Sequence, residues 1–105
     1  MRIAVVNCNT TAEMTARICA AAVSVARPGT VISGVTPAWG VPAAEGFADS
    51  FRSAASVLDA VAGLDADAIV LAGFGEHGRE RAAFRGSGRA LCLCGASGKQ
   101  RVRGV

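Results

Sequence analysis

The chain has few residues able to do chemistry on another molecule, and they fall into two turns and a tail. Cys8 sits in "NCNTT" (7–11), where amide and hydroxyl side chains flank a thiol. "GFGEHG" (73–78) carries the single histidine, His77, beside Glu76, and its Gly73, Gly75 and Gly78 fit the spacing of a dinucleotide-binding loop. That fit lacks an acid about twenty residues on to hold a ribose hydroxyl, so the glycines read better as a tight turn at a helix start. Free N–H groups at such a start attract carboxylates or phosphates. Neighbours on a turn point apart, so His77 and Glu76 are not expected to form an acid–base pair. Cys92 and Cys94 make a CxC without further ligands at metal spacing, and no metal site is expected. Cys8 is the thiol of interest, because nearby helix N–H groups lower a thiol pKa. Its other reading is a small apolar turn residue.

The elements that must position these turns alternate regularly over the first eighty residues. "RIAVV" (2–6) reads as a strand buried on both faces. Thr10 and Glu13 have the spacing of a capping box, and Met14, Ile18, Ala21 and Val25 recur at helical spacing over about 11–26 until "RPG" stops them. "TVISGVT" (30–36) is a second strand, and "PAWGVPAAEG" (37–46) a long loop with Trp39 in it. A second helix is expected over about 47–62, with Phe47, Phe51, Ala54, Leu58 and Val61 on one face and Gly63 as its stop. "DADAIVLAGF" (65–74) is the third strand. This βαβαβ pattern predicts an α/β, flavodoxin-like parallel sheet of order 2-1-3 with helices on both faces. Ligands in such sheets bind beyond the carboxyl ends of the strands at the switch point, which brings "NCNTT" and "GFGEHG" together.

With 105 residues the chain is expected to form a single lobe. No apolar run is long enough for a bilayer, no membrane partner is expected, and "MRIAVVNCNTT" lacks a secretory core, so a cytoplasmic location with reduced thiols is expected. Residues 1–80 hold all eight acids against five bases, a net −3, whereas 81–105 hold six bases and no acid. The basic segment has one aromatic, Phe84, so it offers no stacking platform for nucleic acid, and nucleic-acid binding is not favoured. Periodicity, charge and glycine content all change near Glu80, so residues 81–105 are expected as an irregular, basic Gly/Arg-rich tail in which only "ALCLC" (90–94) has strand character. A shift of reading frame near Glu80 would produce such a break.

"IAVVNCNTTAEMT" (3–15), "TPAWGVPAAEG" (36–46) and "DADAIVLAGFGEHGRE" (65–80), in this order and separation, resemble the hydantoin and allantoin racemase branch of the aspartate/glutamate racemase superfamily. The likeness covers about residues 1–80, as an N-terminal lobe. It implies a cofactor-independent isomerase of two lobes, in which opposed thiols remove and return the proton of an α-carbon. Full-length relatives are implied to form homo-oligomers. The resemblance places the substrate's polar end at Asn7, Asn9, Thr10 and Thr11, facing Gly73, Phe74 and Gly75, with a hydantoin, allantoin or an amino acid as substrate. It also implies that the first catalytic cysteine should stand where this chain has Gly73, while the second belongs to the other lobe. The expectation is a truncated copy of a racemase with no catalytic residue of its own, inactive alone. The alternative is a non-catalytic small-molecule-binding or regulatory domain.

Overall fold

The computed structural model describes residues 1–73 with their side chains, and the backbone of two further strands at 90–94 and 100–103. Five strands and two helices follow one another as β1 (Arg2–Asn7), α1 (Ala12–Val25), β2 (Val31–Val35), α2 (Gly46–Ala62), β3 (Ala68–Ala72), β4 (Ala90–Cys94) and β5 (Gln100–Arg103). The sheet order is β2-β1-β3-β4-β5. Its first three strands have the expected 2-1-3 arrangement, parallel throughout, and β4 adds a fourth parallel strand beside β3. "ALCLC" is thus the strand its composition announced. Gln100–Arg103, expected as part of the irregular tail, pairs antiparallel with β4 as β5.

β1 is central because it is apolar on both faces: Ala4, Val5 and Val6 are all buried. Its alternate residues serve opposite helices. Val6 joins Ile69 and Leu71 of β3 against Val57 and Val61 of α2. The other face holds α1, which approaches β2 so closely that a Cβ on Gly34 would lie 3.0 Å from Thr15 Cγ2. The amino ends of β1 and β3 are tied by Asp67 N–H to the Arg2 carbonyl (2.9 Å), the Arg2 N–H to Asp67 Oδ2 (2.7 Å) and the Arg2 guanidinium to Asp65 (3.0 Å). Arg27-Pro28-Gly29-Thr30 closes as a tight turn, Thr30 N–H to Arg27 carbonyl at 3.1 Å, with Gly29 at φ 85° as a type II turn requires.

Two local expectations are corrected. Thr10 and Glu13 form no capping box: the N-cap is Thr11, without a side-chain cap, and Glu13 instead pairs with Arg17 one turn on (2.7 Å). The apolar stripes of the helices face the sheet only in part: Leu58 and Val61 of α2 join the core and Ile18 of α1 is half-buried. α1 sets Thr15 against the strands and leaves Met14, Ala21 and Val25 exposed, while α2 buries Ser53, Ser56, Val57 and Val61 and leaves Phe47 and Phe51 at 88% and 76% exposure. Small side chains let a helix lie close on a sheet, so the large apolar residues are turned outward. Among the described residues no helix is long and apolar enough to cross a membrane.

Candidate functional site

β1 ends at Asn7, whose register partner on β3 is Ala72, so the turn after β1 and the residue after β3, Gly73, lie side by side at the carboxyl end of the sheet. Asn7 is 1% and Asn9 5% exposed. The Asn7 carboxamide is spent on the turn itself: Nδ2 donates towards Asn9 Oδ1 (2.9 Å), Thr15 Oγ1 (3.1 Å) and the Thr11 carbonyl (3.2 Å), and Oδ1 accepts the Asn9 N–H (3.2 Å). Asn9 Oδ1 also accepts the Thr11 N–H at 3.0 Å, an Asx turn that aims the chain into α1. Thr15 passes the network on to Thr36, whose hydroxyl donates to Thr15 Oγ1 at 2.8 Å.

The 37–45 loop is fastened across this turn. Thr10 N–H donates to the Val41 carbonyl (3.0 Å) and Thr11 Oγ1 to the Pro42 carbonyl (2.8 Å). Gly40 makes the approach possible: it sits at φ 132°, and a Cβ there would lie 3.0 Å from Ser56 Oγ. Trp39 is held at the surface by its indole N–H to Asp59 Oδ2 (2.9 Å). Sequence patterning pointed to the loop as a whole but missed Thr15 and Thr36. The signal was there, a threonine interrupting an apolar helix opposite a strand glycine.

Of the expected site residues, Asn7 is therefore a strut of the turn, and Thr11 is engaged with the loop. Among the described residues, Asn9 Nδ2 makes only a weak hydrogen bond, to Met14 Sδ (3.5 Å), and the Thr10 hydroxyl has no partner. Asn7, Cys8, Asn9, Ala43, Ala72 and Gly73 share the wall of one cavity. Phe74 and Gly75, with Glu76, His77 and Gly78, lie outside the described residues. No cluster of three or more metal-ligating side chains occurs among the described residues.

Cys8 differs from expectation in its acidity. Burial pushes its thiol up from the usual value, against a smaller lowering by its own backbone N–H. The turn N–H groups that were expected to lower it are directed instead to Val41, Asn9 and Asn7 oxygens. The thiol is thus protonated at neutral pH. Because the folded pKa is the higher one, its contribution to stability is present below the unfolded thiol's pKa and is lost as pH rises through the folded value. At pH 8.5 iodoacetamide should modify Cys8 more slowly in the native chain than in urea, as read by mass spectrometry of the peptide. Equal rates would contradict the burial.

The sequence profile of the Asp/Glu/hydantoin racemase family matches residues 3–85. Among solved structures, the chain is similar to allantoin racemase from Pseudomonas fluorescens, with a TM-score of 0.79 and 42% identity over 90% of this chain and 40% of that one. It is similar also to allantoin racemase from Klebsiella pneumoniae, with a TM-score of 0.79 and 37% identity over 92% of this chain and 40% of that one. This chain thus spans about 40% of the length of the solved racemases it matches. None of the curated proteins matches it.

Proposed function

We propose, from the premise that the chain belongs to the Asp/Glu/hydantoin racemase family, that it is the substrate-gripping lobe of an allantoin- or hydantoin-type racemase and does not turn substrate over alone. The observation that carries this reading is the shared wall of Asn9, Cys8 and Gly73 at the switch point of a 2-1-3 sheet. Asn9 Nδ2 and the Thr10 hydroxyl supply donors for a carbonyl or ureido oxygen, beside the amino end of α1 where developing negative charge is favoured. Gly73 stands where the resemblance puts the first catalytic cysteine, and glycine has no group to take a proton. Cys8, with its raised pKa, is a poor base at neutral pH. β4 and β5, which lie in the basic segment 81–105, extend the sheet of the same lobe beyond β3. The same missing thiol favours a second reading, a binding or regulatory domain that kept the pocket and gave up the reaction.

Allantoin at 100 times its Kd should stabilise the chain by about 2.7 kcal/mol in a thermal melt. Thr10→Ala should weaken that binding about tenfold without destabilising the free chain, because the lost hydroxyl has no partner among the described residues. In deuterated buffer the wild-type chain should not exchange the α-hydrogen of one allantoin enantiomer faster than buffer does. An unmoved melting temperature with hydantoin, allantoin and acidic amino acids alike would end the proposal. Exchange of the α-hydrogen on adding a second lobe, which brings one thiol, would decide between the two readings, since a binding domain gains nothing from one.

A further inference from the structure

The carboxamide of Asn9 has one orientation open to it. Its Oδ1 accepts the Thr11 N–H at 3.0 Å, and a backbone N–H can only donate, so the oxygen must lie on that side. Asn7 makes the same demand. The Asn9 N–H on its Oδ1 and the Thr11 carbonyl near its Nδ2 fix the Asn7 amide in turn, so Nδ2 is the end it offers to Asn9 Oδ1, at 2.9 Å. Asn9 Nδ2 is therefore directed away from the turn, in a residue 5% exposed that lines the switch-point cavity. Among the described residues it meets only the Met14 thioether, 3.5 Å away, and a sulfur is a weak acceptor. Met14 lines the same cavity and is 44% exposed. Its backbone is held: its N–H donates to the Thr11 carbonyl at 3.0 Å, and the adjacent Thr15 is tied through Oγ1 to Asn7 and Thr36. The helix start thus keeps the sulfur within reach of the amide, while an unbranched side chain with several rotatable bonds is able to swing aside.

We propose that Met14 is a specificity-determining residue of this site, an inference that rests on the racemase reading above. Its sulfur holds the place of a ligand oxygen on Asn9 Nδ2 and gives way when one arrives. A carbonyl, ureido or carboxylate oxygen makes the shorter and stronger bond, about 2.9 Å, so the exchange runs towards the ligand. A ligand group that only donates, such as an ammonium, meets a donor and leaves the sulfur where it is. The weakness of the thioether is what suits it to this place. A bare amide would be a buried donor without a partner, which is costly, and a strong internal acceptor would have to be broken at each binding event. The subsite therefore selects for a hydrogen-bond acceptor, and residue 14 sets how strongly that acceptor must compete.

The test uses the full 105-residue chain and two probes, hydantoin and allantoin. Calorimetry should find opposite effects for two variants of one position. Met14→Leu removes the competing acceptor and should tighten binding about threefold. Met14→Gln keeps the length of the side chain and ends it in an oxygen, which takes the Asn9 amide for itself, so binding should weaken about tenfold while the Tm of the free chain is kept or raised. A purely structural part for Met14 would move both affinities the same way. Leu and Gln are good helix formers, and the position is exposed, so both variants should fold. The wild type carries a second readout: its two methionines, Met1 and Met14, give two signals when their methyl carbons are labelled with ¹³C, and Met14→Leu assigns them. Saturating hydantoin should shift the Met14 signal. Equal affinities of the wild type and both variants, weakening by both, or a Met14 signal unmoved by a ligand that binds would overturn the proposal and leave the pocket reading standing. Failure of all three chains to bind either probe would overturn the pocket reading, and this inference with it.

Discussion

Asn7→Ala should lower the stability of the chain by about 3 kcal/mol, which for a domain of this size is about 15 °C in Tm. The substitution removes a carboxamide that is 1% exposed and whose two ends are both in use. The Asn9 N–H loses its acceptor, and the Thr11 carbonyl loses a donor, both beneath the 37–45 loop. A buried donor left unpaired costs about 1–3 kcal/mol, more than the net value of the bond it lost. Asn7→Asp should rescue little, because a carboxylate keeps the acceptor but not the donors and adds a buried charge. Thr10→Ala in the adjacent turn is the control, expected within about 0.5 kcal/mol of wild type. Thermal melts of the three variants followed by circular dichroism test this, and an Asn7→Ala Tm within about 3 °C of wild type would mean that water replaces the amide.

Asn7 also explains what could be read ahead of the structure and what could not. The alternation of apolar runs specified three parallel strands and their 2-1-3 order, because strands buried on both faces and right-handed crossovers leave few other arrangements. Which side chains of "NCNTT" face a ligand was not legible. Asparagine serves equally as a binding donor or as an internal brace, and the choice depends on Thr15, Thr36 and the Pro42 carbonyl, eight or more residues away in the chain. Helical periodicity located α1 and α2 to within one or two residues, yet only the carboxyl half of the α2 stripe, Leu58 and Val61, reaches the core. Periodicity says that a stripe seeks a partner; it does not say that the partner is this sheet. Gly34 admits Thr15 and Cys19 of α1, and the serines of α2 pack against the other face, so Val25 and Phe47 stay exposed.

Gly73→Cys should raise exchange of the substrate's α-hydrogen with solvent to about 10²–10⁴ times the wild-type rate, the usual contribution of one positioned base. The new thiol would enter the wall that Asn9 and Cys8 already share. As thiolate it would take the proton on one face of the α-carbon, leaving a carbanion delocalised onto the adjacent carbonyl and held by Asn9 and Thr10. The same thiol would return solvent-derived deuterium to the same face. Exchange should therefore run without loss of optical activity, because inversion needs a second acid on the far side. Proton NMR in deuterated buffer reads the exchange and polarimetry the configuration. Exchange at the wild-type rate, with allantoin shown to bind, would remove Gly73 from the reacting side of the pocket. Inversion at a rate matching exchange would assign the second proton to Cys8, whose raised pKa keeps it in the acid form that such a step requires.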